Sequence, residues 1–136
     1  EFLKNLFTKK LEYMKGFKEI HSYLKKKFKL ALVTSTGPEL VAHIDGLLGV
    51  KNHFNLVITS IDTKAHKPNP DPYIKAMNKL GLLPGECIVV EDSVQGIKAG
   101  KAAGCQVIAL EGSLEKALLC DADYIISCLS DMQKIV

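Results

Sequence analysis

Short apolar runs alternating with stretches of helical spacing constrain this 136-residue chain more than any other feature. Leu30–Val33, Phe54–Ile58, Cys87–Val90 and Gln106–Leu110 are too short for helices and apolar enough for strands covered on both faces. Between them, Pro38 suits the first position of a helix running to about Leu48. Asp71 as N-cap and Pro72 as the next residue open a second helix that Gly81 ends, and residues 94–103 form a third, stopped by Gly104. A short helix around 113–119, a strand at Tyr124–Ile126 and a last helical turn near Asp131 follow. This βαβαβαβ order predicts an α/β fold, a Rossmann-like parallel sheet with helices on both faces and right-handed crossovers. Upstream, Phe7, Leu11, Met14, Phe17, Ile20, Leu24 and Phe28 step by three and four, which predicts helix over residues 3–28, broken in two at Gly16.

Charge narrows the partners. All 18 basic residues are lysine, and nine of them lie in residues 1–29 against three acids. Arginine is the residue that reads phosphates and bases bidentately, and these lysines alternate with apolar residues at helical spacing, so a solvated helix face is the reading and nucleic acid is not an expected partner. No apolar run approaches the length of a membrane span, and no secretory signal pattern is present. Cys87, Cys105, Cys120 and Cys128 form no C-x-x-C pair and read as buried free thiols in a reducing, cytoplasmic setting, with no zinc site.

In open parallel sheets, ligands bind beyond the carboxyl ends of the strands. Thr34, Ser35 and Thr36 follow the first strand, a loop containing Lys67 follows the second, and Glu91, Asp92 and Ser93 follow the third. Hydroxyls and helix N-terminal amides suit a phosphoryl group, an ammonium spreads its charge, and paired carboxylates are hard-oxygen ligands for Mg²⁺. Each group has a plainer use. Thr34–Thr36 could cap the helix at Pro38, Lys67 could be a surface lysine, and Asp92 or Ser93 could cap the next helix. Their coincidence at three strand ends favours the ligand reading. Gly96, Gly100 and Gly104 read as close helix–sheet packing and a helix stop, since neither dinucleotide nor P-loop spacing is present.

The run Val89-Val90-Glu91-Asp92-Ser93-Val94-Gln95-Gly96-Ile97 resembles the fourth motif of the haloacid dehalogenase superfamily, in the form found in its β-phosphoglucomutase and sugar-phosphate phosphatase branch. Ala31-Leu32-Val33-Thr34-Ser35-Thr36 resembles the second motif and His66-Lys67-Pro68-Asn69-Pro70-Asp71-Pro72-Tyr73 the third. The resemblance implies that Thr34 bonds the transferring phosphoryl oxygen, with Ser35 beside it. It implies that Lys67 holds that group and the nucleophile, and that Asp92 with Glu91 binds Mg²⁺. The implied reaction is attack by an aspartate on a small phosphorylated metabolite, followed by hydrolysis of the aspartyl-phosphate.

The family's first motif, an apolar strand ending in D-x-D, has no counterpart before residue 15. Asp121-Ala122-Asp123 precedes a strand and reads as a turn. The expectation is therefore residues 1–14 as the end of a cap or linker helix and 15–136 as a core segment, with the nucleophile outside this chain. In the family, the first strand lies between the strands at 30–33 and 87–90. Its absence predicts two unpaired edges facing a gap, closed by direct pairing, by a second copy, or by a missing N-terminal segment. The alternatives are a non-catalytic, degenerate binding module and a receiver-like domain, the latter lacking an aspartate at a central strand end.

Overall fold

The computed structural model describes residues 11–112 and 116–136. Five strands, β1 (Ala31–Val33), β2 (Leu56–Ile58), β3 (Ile88–Glu91), β4 (Gln106–Leu110) and β5 (Tyr124–Ile126), alternate with four helices. The helices are α1 (Phe17–Leu24), α2 (Pro38–Leu48), α3 (Asp71–Leu80) and α4 (Val94–Ala102). Short 3₁₀ turns at Val50–His53, Pro84–Glu86, Lys116–Leu119 and Leu129–Lys134 complete the order. All pairings are parallel, as the alternation predicts.

The strands form two sheets, β1–β2 and β3–β4–β5, and β1 does not pair with β3. Direct pairing is thus not how this chain closes the expected gap. Strand β4 shows why its own sheet holds. Its side chains alternate, with Val107 and Ala109 in one apolar cluster with Ile97 and Ala99 of α4, and Ile108 and Leu110 in a second with Ile20 of α1 and Met132. Both faces are therefore covered. On β3 only Val89 reaches the first cluster. Ile88 and Val90, on the opposite face, stay 39% and 38% exposed although the strand is as apolar as β4. Helix α3 packs on β1 and β2 while its Tyr73 and Met77 join the cluster under β3, so it straddles the two sheets.

Local chemistry explains most boundaries. Gly16, with φ of 83°, precedes α1, and a left-handed Gly81 ends α3. Ser93 caps α4 by accepting from Gly96 N at 3.0 Å. Helix α3 differs from expectation. Pro70 occupies the cap position and Asp71 the first helical turn, where its carboxylate favours the positive end of the helix dipole. Residues 11–14 are not helical, and the rest of the helix expected upstream lies outside the described residues. So do residues 113–115 of the expected 113–119 helix, of which Lys116–Leu119 is a 3₁₀ turn. Of the four free thiols expected to be buried only Cys105 is, within β4's apolar cluster; Cys87 and Cys128 are half-buried and Cys120, in the turn that leads to β5, is exposed. No described helix is long and apolar enough to cross a membrane.

Candidate active site

The carboxyl ends of β1 and β3 are joined by one ammonium. Lys67 Nζ donates to the carbonyl of Val33, the last residue of β1, at 3.0 Å, and to Glu91 Oε1, at the end of β3. The pair is nearly dry, with side chains 12% and 9% exposed. Tyr73, at the start of α3, donates its hydroxyl to the same Glu91 oxygen, and Ser93 Oγ donates to the other at 3.3 Å. The Lys67 ammonium also lies 5.0 Å from the centre of the Tyr73 ring. Burial, and then the neighbouring Glu91 carboxylate, push the Tyr73 hydroxyl well above its ordinary range, so it stays a proton donor.

Thr34 follows β1. Its N–H reaches Ile58 at 3.0 Å, tying the ends of β1 and β2 together. Its hydroxyl accepts from Thr36 N at 3.1 Å and donates to Thr36 Oγ1 at 3.0 Å. The residues thereby fold into a tight turn ahead of α2. They do not cap that helix, whose cap position is Gly37 with no side-chain bond. Ser35 and Asp92 are exposed, and neither side chain bonds another described residue.

Thr34, Ser35, Lys67, Glu91 and Asp92 all line one groove of about 870 Å³ between β1 and β3. The same groove runs down past Leu32, Ile88 and Val90, so its upper end is polar and its body apolar. Among the described residues no three His, Cys, Asp or Glu side chains converge. Mg²⁺ needs only one or two protein carboxylates beside water and phosphate oxygens. Asp92 offers such a carboxylate. Glu91 has both oxygens engaged by Lys67, Tyr73 and Ser93, so it sits behind the lysine as much as beside Asp92.

Two residues here were not legible as site residues. Tyr73 falls within the run that resembles the third motif, six residues after Lys67, but the resemblance as read there gives it no role. Gly96 reads as helix–sheet packing. That holds for Gly100, where a Cβ would lie 2.9 Å from Val107 Cγ2 and 3.1 Å from Val89 Cγ1. At Gly96 a Cβ would instead land inside the Glu91 carboxylate. Asp121 and Asp123 lie in a turn away from the groove, and Asp123 accepts from Lys101 at 2.7 Å and from Val107 N at 2.7 Å.

The sequence profile described as "Haloacid dehalogenase-like hydrolase" matches residues 1–110. The chain is 41% identical over 87 residues to the bifunctional riboflavin kinase/FMN phosphatase of Arabidopsis thaliana, covering 62% of this chain and 23% of that protein. It is 30% identical over 127 residues to the pyrophosphatase PpaX of Bacillus velezensis, covering 91% of this chain and 59% of that one. A Thermotoga maritima structure assigned as a β-phosphoglucomutase superposes with a TM-score of 0.87 at 28% identity, over 97% of this chain and 63% of its own. The chain thus spans less than two thirds of these relatives' length. Matched across four fifths of its residues by one profile and throughout its fold by a β-phosphoglucomutase-like neighbour, the chain belongs to the haloacid dehalogenase-like hydrolases.

Proposed function

We propose that this chain is the phosphate- and metal-handling core segment of a Mg²⁺-dependent phosphatase or phosphomutase acting on a small phosphorylated metabolite. The observation that carries this reading is the convergence of hydroxyl, ammonium and carboxylate groups from three strand ends on one groove. On this reading residues 15–136 are the core, and residues before 15 end a cap or linker helix. The nucleophilic aspartate of the aspartyl-phosphate lies outside the chain, on a strand that fills the groove between β1 and β3. That strand comes from an N-terminal segment or a second copy.

The chain's own residues divide the work. Thr34 and Ser35 supply hydroxyls, with the Ser35 amide, from the turn ahead of α2 to the phosphoryl oxygens, Thr34 by turning its hydroxyl away from Thr36. Lys67 has three N–H donors and spends two on Val33 and Glu91, leaving one for a phosphoryl oxygen. Its charge, held in a nearly dry position, offsets the negative charge of the transferring group more strongly than it would in water. Asp92, with Glu91 behind it, is the carboxylate that holds Mg²⁺, which when bound neutralises phosphate charge and orients the group. The site sits in a soluble, cytoplasmic protein on this reading.

The test is phosphate release from a panel of phosphate monoesters by the protein that carries this segment together with a D-x-D strand. Lys67→Ala and Thr34→Val should each lower kcat/KM by about a hundredfold or more. Asp92→Ala should weaken Mg²⁺ binding. Unchanged rates in the first two would defeat the phosphate assignment. Phosphate and metal binding without turnover on any ester would favour the non-catalytic binding module instead.

A further inference from the structure

Lys67 is held in the groove by a buried neighbour, Tyr73, that lines the same groove. Tyr73 is 7% exposed and lies at the first turn of α3, where the 3₁₀-like bond of its N–H to Pro70 fixes the backbone at 3.0 Å. It meets Lys67 in two ways. Its ring lies under the ammonium, and its hydroxyl donates to the Glu91 oxygen that Lys67 also binds. A carboxylate receiving only the lysine could rotate and carry the ammonium away with it. Here both oxygens are held: Tyr73 donates to one and Ser93 to the other, and the carboxylate fills the space that a Cβ at Gly96 would take.

We infer that Tyr73, with Gly96, positions the Glu91–Lys67 pair, and that Glu91 serves Lys67 through them before it serves a metal. This deepens the phosphate-site reading and rests on it only for the direction in which Lys67 works. The hydroxyl matters more than the ring. A phenylalanine fills the same space and keeps the face under the ammonium, but leaves one Glu91 oxygen with a single donor.

The experiment uses the protein that carries this segment together with a D-x-D strand, with inorganic phosphate as the probe and NMR as the readout. Three variants are compared with the parent: Tyr73→Phe, Gly96→Ala and Lys67→Met. Lys67 Hε and Cε resonances, shifted by the Tyr73 ring, report its pose without any ligand. Tyr73→Phe should move them toward those of a free lysine and should weaken phosphate binding about tenfold, the cost of one hydrogen bond to a charged group. Gly96→Ala should do the same by displacing the carboxylate. A residue with only a packing role would lower the melting temperature and leave both readouts in place. Unmoved Lys67 resonances in Tyr73→Phe overturn the inference, whatever happens to phosphate. Phosphate affinity equal in Lys67→Met and parent overturns the phosphate reading alone, and the resonances still decide the role of Tyr73. Should Gly96→Ala fail to fold, Tyr73→Phe carries the test by itself.

Discussion

Removing the Lys67 ammonium leaves the Glu91 carboxylate in a place with little water, and the cost can be worked from its neighbours. Breaking a buried pair by deleting one partner typically costs about 3–5 kcal/mol. Glu91 is 9% exposed in its side chain but keeps Tyr73 and Ser93 as donors, so Lys67→Met should cost about 2–3 kcal/mol. Glu91→Gln keeps an oxygen that can accept from Lys67 and Tyr73, and should cost about 1–2 kcal/mol. The double variant leaves no unpaired charge. It should lie well short of the sum of the singles, with a coupling of about 2 kcal/mol. Urea unfolding at neutral pH without divalent metal, followed by circular dichroism, measures each corner of the cycle. A shift of 1 kcal/mol corresponds to about 3–5 °C in melting temperature for a chain of this size, so thermal melts give an independent check. Additive singles, with coupling below about 0.5 kcal/mol, would show that the contact contributes nothing as a pair. The description of Glu91 as the holder of Lys67 would then fail.

Gly100→Ala should destabilise the chain by about 1–2 kcal/mol, although alanine is the better helix former by about 1 kcal/mol. The added carbon meets Val107 and Val89, both buried and β-branched, and neither can yield cheaply. A stabilised variant would refute the packing argument. Asp123 is held below the ordinary carboxylate range, first by the Lys101 hydrogen bond and then by Val107 N–H. Its folded value is the lower one, so its contribution is complete above about pH 3.9 and is lost as pH falls through the folded value. Melting temperatures from pH 5 to 2 should therefore fall less steeply for Asp123→Asn than for the parent, and parallel curves would contradict this. Hydrogen exchange tests the groove. Amides of Ala31–Val33 and Ile88–Glu91 that face it should exchange quickly in this chain and become protected when an added strand pairs with both edges. Equal protection with and without the added strand would mean the groove does not take one.

Sequence alone determined the order of elements, because strand and helix patterning and glycine stops are local properties. Pro38–Leu48, Gln106–Leu110 and Tyr124–Ile126 lie where periodicity puts them. Thr34, Lys67 and Asp92 could be picked out because parallel topology sends the end of every strand to the same edge of the layer. Local reasoning placed the cap of α3 one residue late, since Asp71 can serve as cap or as first-turn acid and only the chain path selects between them. Tertiary structure decided what those residues do to each other. That Tyr73 turns its hydroxyl to Glu91, that Gly96 is empty so the carboxylate can lie there, and that Lys67 spans two separate sheets all depend on elements distant in sequence. The physical reason is range. Backbone preference acts over a few residues, whereas a nearly dry ion pair exists only where packing has brought its partners together and driven the water out.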